Sequence, residues 1–206
     1  MKRLAILGAS GHGKVVADAA LCAGWDEVCF FDDAWPRLSR NGAWSVEGAF
    51  SGMLGGCGPS FQAAVVGIGH NATRLAKMSA LREAGIPLVT VVHPSAVISA
   101  HAHLGEGCVV FAGAVVNVDT RIAAGCILNT RATVDHDCCL EEGVHISPGA
   151  NLAGGVTVGA GSWVGIGASV RQGVAIGRNV MVGAGAAVVS NIPDDVTVVG
   201  VPARVL

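Results

Sequence analysis

The chain has 206 residues and a formal net charge of −2, and its 13 Lys and Arg are scattered, which excludes the clustered basic surface of a nucleic-acid binder and leaves room for one large or two small domains. Half of the residues are hydrophobic, enough for a core, yet no run of 18 apolar residues is free of glycine or charge, which excludes a membrane-spanning helix. Thirty glycines, five Phe, four Trp and no Tyr point to a narrow interior with tight corners, and seven cysteines with no C-x-x-C pair or zinc-like Cys/His spacing read as small buried hydrophobes in a reducing cytoplasm, with no metal site expected.

From the N-terminus, "RLAIL" reads as a buried strand, "GASGHG" as a loop and "KVVADAALCAG" as a helix. "EVCFF" is a second strand ending at Asp32 and Asp33, "QAAVVGIG" a third, "HNATRLAKMSALREAG" an amphipathic helix closed by Gly85, and "PLVTVV" a fourth strand. The stretch 34–60 has no clear period and reads as an irregular connection. Strands alternating with helices predict a Rossmann-like parallel sheet over residues 1–92.

After Pro94 the pattern changes. Every sixth residue from Ile98 to Val188 is Ile, Leu or Val, in sixteen consecutive places without insertion. Two places before each stands a small or β-branched residue, Cys108 and Cys126 among them, predicted to point inward; one place earlier still, ten of the sixteen are Gly. A six-residue repeat specifies a β-solenoid, and three hexads close a coil of about 18 residues. The tail "NIPDDVTVVGVPARVL" leaves the repeat and is expected to cap its end, completing a second domain over 93–206.

His136, in "VDHDCC", falls two places past the inward Val134, so its imidazole is expected to face outward near a corner. Residue 154, one coil further on, is a glycine. A base beside a bare backbone suits acyl transfer, with the imidazole as proton acceptor and the Gly154 N–H as a donor to a developing oxyanion. Asp137 is the first choice to orient the ring and Asp135 the second; the plain alternative is that His136 is an exposed polar residue. "GASGHG", Gly8 to Gly13, follows a strand and opens a helix, which suits a phosphate, although its G-x-x-G-x-G spacing also fits an ordinary glycine turn. Asp33 follows Gly13 by 20 residues, where an acid commonly meets a ribose or base.

The hexad pattern and the closing Gly200-Val201-Pro202-Ala203 resemble the hexapeptide-repeat acyltransferases. The run "LNTRATVDHDCCLEEGVHISPGANLAGGVTVG" is similar to the active-site segment of bacterial sugar-nucleotide N-acetyltransferases and sialic acid O-acetyltransferases, the PglD/NeuD-like family. The resemblance implies a Rossmann-like domain followed by a left-handed parallel β-helix, in a homotrimer with active sites between subunits. It implies His136 as general base, Asp137 as its partner, His145 in contact with acetyl-CoA, Gly154 on the thioester carbonyl and Asn129 in the lining of the site. It assigns Ser10, Gly11 and His12 to the pyrophosphate of a UDP-sugar, Asp33 and less directly Asp32 to the uridine, and Gly69 and Asn71 to the nucleotide; Arg74 is a candidate for a phosphate and His70 equally a solvated loop residue. The expected function is a cytoplasmic acetyl-CoA-dependent N-acetyltransferase of a UDP-amino-sugar, with UDP-4-amino-4,6-dideoxy-N-acetylglucosamine the best guess. An O-acetyltransferase acting on a sugar hydroxyl such as that of sialic acid is the second reading, and a non-catalytic scaffold or sensor the third.

Overall fold

In the computed structural model, which describes residues 2–55 and 60–206, the chain forms a parallel α/β sheet docked on a left-handed parallel β-helix. The sheet is built on β1 (Arg3–Leu7), flanked by β2 (Glu27–Phe31) and by β5 (Ala63–Val66), both parallel to it. Because side chains alternate along a strand, Leu4 and Ile6 pack with Val16, Ala17 and Ala20 of α1 (Gly11–Cys22) on one face. Ala5 and Leu7 pack on the other, with Met78 and Leu81 of α3 (Asn71–Glu83).

Residues 34–55 depart from the irregular connection expected over 34–60. A short β3 (Arg40–Asn41) turns back on β4 (Trp44–Gly48), which extends the sheet beside β2, and α2 (Phe50–Leu54) follows. The burial of Val46 and the packing of Gly48 against the Phe31 ring anchor this excursion where no periodicity announces it. Residues 56–59 of that stretch, including Cys57, lie outside the described residues. The segment read as a fourth strand divides: Leu88 bridges Ala64 at the sheet edge, and Val91–Val92 pairs instead with Val109–Val110 of the β-helix.

The β-helix has three faces of two-residue strands, with partners 18 residues apart, as in Val115↔Thr133, Arg121↔Cys139 and Ile127↔His145. Face 1 carries Val109–Val110, Ile127–Leu128, His145–Ile146, Trp163–Val164 and Met181–Val182; face 2 runs from Val97–Ile98 to Ala187–Val188; face 3 runs from His103–Leu104 to Ala175–Ile176. The second residue of each strand fills the interior, and from Val110 onward these aliphatic side chains are at most 3% exposed. Burying each one contributes roughly 1.5–3 kcal/mol, so the hexad period is itself the core of this domain.

The inward small residues do more than fill the corners. Thr120, Cys126, Cys138 and Ser162 each donate from the side chain to the carbonyl 15 residues ahead. Cys108 does the same, so it and Cys126 are buried as expected, whereas Cys22 and Cys139 are exposed. From Gly107 to Gly185, the residue before each inward small residue is in the left-handed region, mostly as glycine; the exceptions are Asp119, Arg131, Asp137 and Asn179. At the C-terminal end the spacing falls to 16 residues, Met181↔Thr197, and the chain turns back through Arg204–Val205.

The two domains share a core. Val109, Phe111 and Ile127 of face 1 pack into the cluster beneath α1. Along the corner between faces 3 and 1, Leu75 and Met78 of α3 pack against Gly125, a residue whose missing side chain lets the helix approach.

Candidate active site

His136 stands at the corner between faces 2 and 3. Its Nδ1 lies 2.8 Å from Asp137 Oδ2, with both side chains more than half exposed. Asp135 is bound differently. One of its oxygens accepts from the His136 N–H and from the Asn117 amide, at 2.9 and 2.7 Å. Of the two carboxylates, Asp137 therefore meets the ring and Asp135 holds the turn. The hydrogen bond to Asp137, and then the charge of Asp135, raise the His136 pKa above its ordinary value. Asp137 achieves its position at φ 58°, a backbone conformation that most other hexads give to glycine.

The ring covers Gly154. A β-carbon built there would lie 2.5 Å from His136 Nε2 and 3.0 Å from Nδ1, so with the ring in this place only hydrogen fits. The backbone ladder continues beside it, Gly155 N–H donating to the His136 carbonyl at 2.8 Å. The Gly154 N–H has no hydrogen-bond acceptor among the described residues.

A second group of site residues meets where the domains join. Gly11, His12, Gly69, Asn129, His145, Ser147 and Trp163 line a cavity of about 530 Å³ that continues past Ile166 and Met181. His145 stacks on Trp163, its neighbour one coil on, with ring centroids 4.2 Å apart; the Trp163 indole donates to Ser147 at 2.6 Å. The Thr130 N–H holds Asn129 Oδ1 at 2.9 Å, which turns the Asn129 amide toward His145 Nε2 at 3.2 Å. That nitrogen accepts, so the ring proton sits on Nδ1, which is buried facing the Gly69 backbone without a well-formed hydrogen bond; His12 Nε2 is likewise buried with no partner among the described residues. Burial first, and the Arg74 cation second, push His145 down to about 3 and His12 down to about 4.

This predicts acid lability. An unfolded histidine titrates near 6.5, so between there and pH 4 the unfolded chain takes up protons that the folded one refuses, and stability falls as pH falls. The expected loss from pH 7 to 4 is on the order of 3–6 kcal/mol, present in addition to any carboxylate effects and absent above pH 7. Urea midpoints measured across that range at fixed protein concentration test it, with a His145→Asn variant expected to show a shallower slope; equal slopes in the two proteins would contradict the assignment.

The "GASGHG" loop is shaped by close approach. Gly8 takes φ 108°, and a β-carbon at Gly13 would strike the Gly8 carbonyl. The helix begins at Gly11, inside the stretch expected as loop. Ser10 is its N-cap, with no side-chain capping bond, and Gly11 faces open space. The two acids behind the loop have different surroundings. Asp32 accepts from the Ala9 and Ala34 N–H groups at 2.8 and 2.9 Å, so it braces the loop from behind. Asp33, mostly exposed, accepts from the Phe50 N–H and pairs with Lys77 at 3.4 Å.

Asn71, expected beside the nucleotide, donates its amide to the Gly161 and Ser162 carbonyls and accepts from Arg74, so it also ties the two domains together. One expectation is corrected. Arg74, a candidate phosphate ligand, is 1% exposed and wholly engaged by the protein. His70 caps α3, accepting from the Thr73 N–H at 3.3 Å.

The structure thus brings His136, Asp137 and Gly154 together at one corner, and Gly11, His12, Gly69, Asn129 and His145 together in one cavity, but the cavity does not include the first group. The two groups flank the same face of the prism: Asn129 and Ser147 turn into face 2, and His136 turns out of it. Trp163 was missed in the sequence, although it stands one coil beyond His145 and the same count that found Gly154 would have found it.

The family model of the PglD N-terminal domain matches residues 3–81. The acetyltransferase domain of PglB from Neisseria gonorrhoeae FA1090, solved in complex with acetyl coenzyme A, is 41% identical with a TM-score of 0.95, covering 100% of this chain and 99% of that one. PerB from Caulobacter crescentus, solved with CoA and GDP-perosamine, is 38% identical with a TM-score of 0.92, over 100% of this chain and 98% of that one. WeeI from Acinetobacter baumannii AYE is 26% identical with a TM-score of 0.88, over the full length of both chains. A comparison with curated proteins gives no match.

Proposed function

The chain belongs to the PglD/NeuD-like family of sugar acetyltransferases, and from that membership we propose that it transfers the acetyl group of acetyl-CoA to the amino group of a nucleotide-linked amino sugar, with His136 as general base. The observation that carries this reading is the imidazole, held by Asp137, lying directly over the bare backbone of Gly154.

The sugar amine attacks the thioester carbonyl carbon. As the C–N bond forms, the carbonyl π pair moves onto oxygen, where the unengaged Gly154 N–H stabilises it. His136 Nε2 takes a proton from the attacking nitrogen, and Asp137 stabilises the imidazolium through Nδ1–H. Collapse of the tetrahedral intermediate breaks the C–S bond; the thiolate leaves, recovers the proton from His136, and an amide remains. No covalent intermediate with the protein is required. The Val15, Ile166 and Met181 wall of the cavity of about 530 Å³ suits the pantetheine end of acetyl-CoA, with His145 beside it. The free N–H groups at the start of α1, with Ser10 Oγ, suit the diphosphate of the sugar nucleotide.

Because the two groups flank face 2, one chain alone leaves them apart. A homotrimer with face 2 turned toward the threefold axis sets the His136 corner of each copy against the His12–His145 cavity of the next. The uridine diphosphate of a 4-amino-4,6-dideoxy sugar is the preferred acceptor nucleotide. Release of free thiol from acetyl-CoA, measured with UDP- and GDP-linked 4-amino sugars and with sialic acid, tests the reading. Amine-dependent release supports it; release only with the hydroxyl acceptor moves the enzyme to O-acetylation, and none with any acceptor sinks it.

A further inference from the structure

Arg74 is 1% exposed, and each of its five N–H donors is engaged. Nε donates to the Gly125 carbonyl at 2.7 Å, Nη1 to those of Ile68 and Gly69 at 3.1 and 2.9 Å, and Nη2 to Asn71 Oδ1 and the Gly143 carbonyl at 2.9 and 2.8 Å. Gly125 and Gly143 are the same corner position in consecutive coils, and Asn71 reaches the third, Gly161, at 2.8 Å. Three coils of the β-helix are therefore fastened to the turn that follows β5. No carboxylate pairs with Arg74 among the described residues. A buried cation held only by neutral acceptors is costly, and packing alone would be served as well by an apolar side chain.

We propose that Arg74 is a positioning residue for acetyl transfer: its guanidinium clamps the Ile68–Gly69 turn onto the β-helix corner and so fixes the wall of the cavity that His12 and His145 share. This rests on the reading of that cavity as part of the acetyltransferase site. Gly69 lines the cavity together with both imidazoles. The groups facing His145 are the Asn129 amide, the Trp163 ring, the Gly69 backbone, His12 and the Arg74 charge; those facing His12 are Phe111, His145 and Arg74. None is a carboxylate. The unneutralised cation thus favours uncharged imidazoles, which leaves His145 Nδ1–H as a donor and His12 Nε2 unengaged, and it adds positive potential where an anionic ligand docks.

Lys keeps the charge but has at most three donors and no planar fork; Met keeps much of the volume and removes the charge. In the full-length protein we expect Arg74→Lys to remain folded by circular dichroism and to lose at least ten-fold in kcat/KM, mostly through KM, while His145 stays neutral to pH 5. Arg74→Met is expected to let His145 and His12 titrate at higher pH, read from histidine-labelled NMR spectra assigned with single His variants. The proposal is overturned if Arg74→Lys keeps kcat/KM within two-fold of wild type while only its Tm falls, or if a folded Arg74→Met leaves both titrations unchanged. Should Arg74→Met fail to fold, the kinetics of Arg74→Lys decide. The NMR titration needs no turnover, so a wild-type protein without acetyl transfer would defeat the functional reading and leave the hold of Arg74 on the cavity separately measurable.

Discussion

His136→Ala is expected to lower kcat by about 10²–10⁴-fold, the range a positioned general base supplies, with Tm changed by no more than a few degrees. The side chain is 56% exposed and its contacts are to Asp137 and to the backbone of Gly154, so the fold loses little with it. Asp137→Gly sharpens the test. Asp137 sits at φ 58°, where most other hexads have glycine, so the substitution removes the carboxylate and eases the backbone at once. Turnover should fall by about 10²-fold or more, since a base without its orienting acid adopts the wrong tautomer, while stability holds or rises.

The pH dependence of turnover reads the same pair. Only the neutral imidazole can accept a proton, so kcat/KM in the wild type should rise with pH through a midpoint above the ordinary histidine value, because Asp137 and Asp135 favour the cation. In Asp137→Gly the larger of those two influences is gone, and the midpoint should move to lower pH. A profile with no inflection near or above about pH 6.5, or one left in place by Asp137→Gly, would mean that another group accepts the proton.

The β-helix was legible because its period is the core: each sixth aliphatic side chain is an interior contact, and the count of 18 that closes a coil also places side chains beside one another. That count put Gly154 under His136, and it holds equally for Asn117 beside Asp135 and for His145 beside Trp163. Residues 34–55 were not legible, since β3 is two residues long and the alternation of β4, Trp44-Ser45-Val46-Glu47, is too brief beside its glycines to announce a strand. Arg74 was misread for a physical reason. Sequence assigns a guanidinium at a helix start to solvent or phosphate, and nothing local reveals that the carbonyls of Gly125 and Gly143, 51 and 69 residues away, converge on it. The separation of the site into a corner and a cavity also lies beyond local pattern, because it depends on which face of the prism the first domain covers.

Gly154→Ala is the most economical test of the geometry itself. Gly154 does not occupy the left-handed region, so alanine meets no backbone strain, and the nearest atoms a β-carbon would strike are those of the His136 ring. That ring ends an exposed side chain and can swing aside, so stability should change by no more than ~0.5 kcal/mol. Catalysis should not be spared: displacing a base by about 1 Å costs on the order of 10²-fold. The N–H that faces the oxyanion survives in alanine, so the whole loss should act through His136. The double variant His136→Ala/Gly154→Ala is then expected to be no slower than His136→Ala alone, a non-additivity that distinguishes displacement of the base from an independent defect. If Gly154→Ala turns over within two-fold of wild type, the imidazole does not need the place it occupies over Gly154; if the two losses multiply, glycine at 154 serves the reaction by some means other than making room for the base.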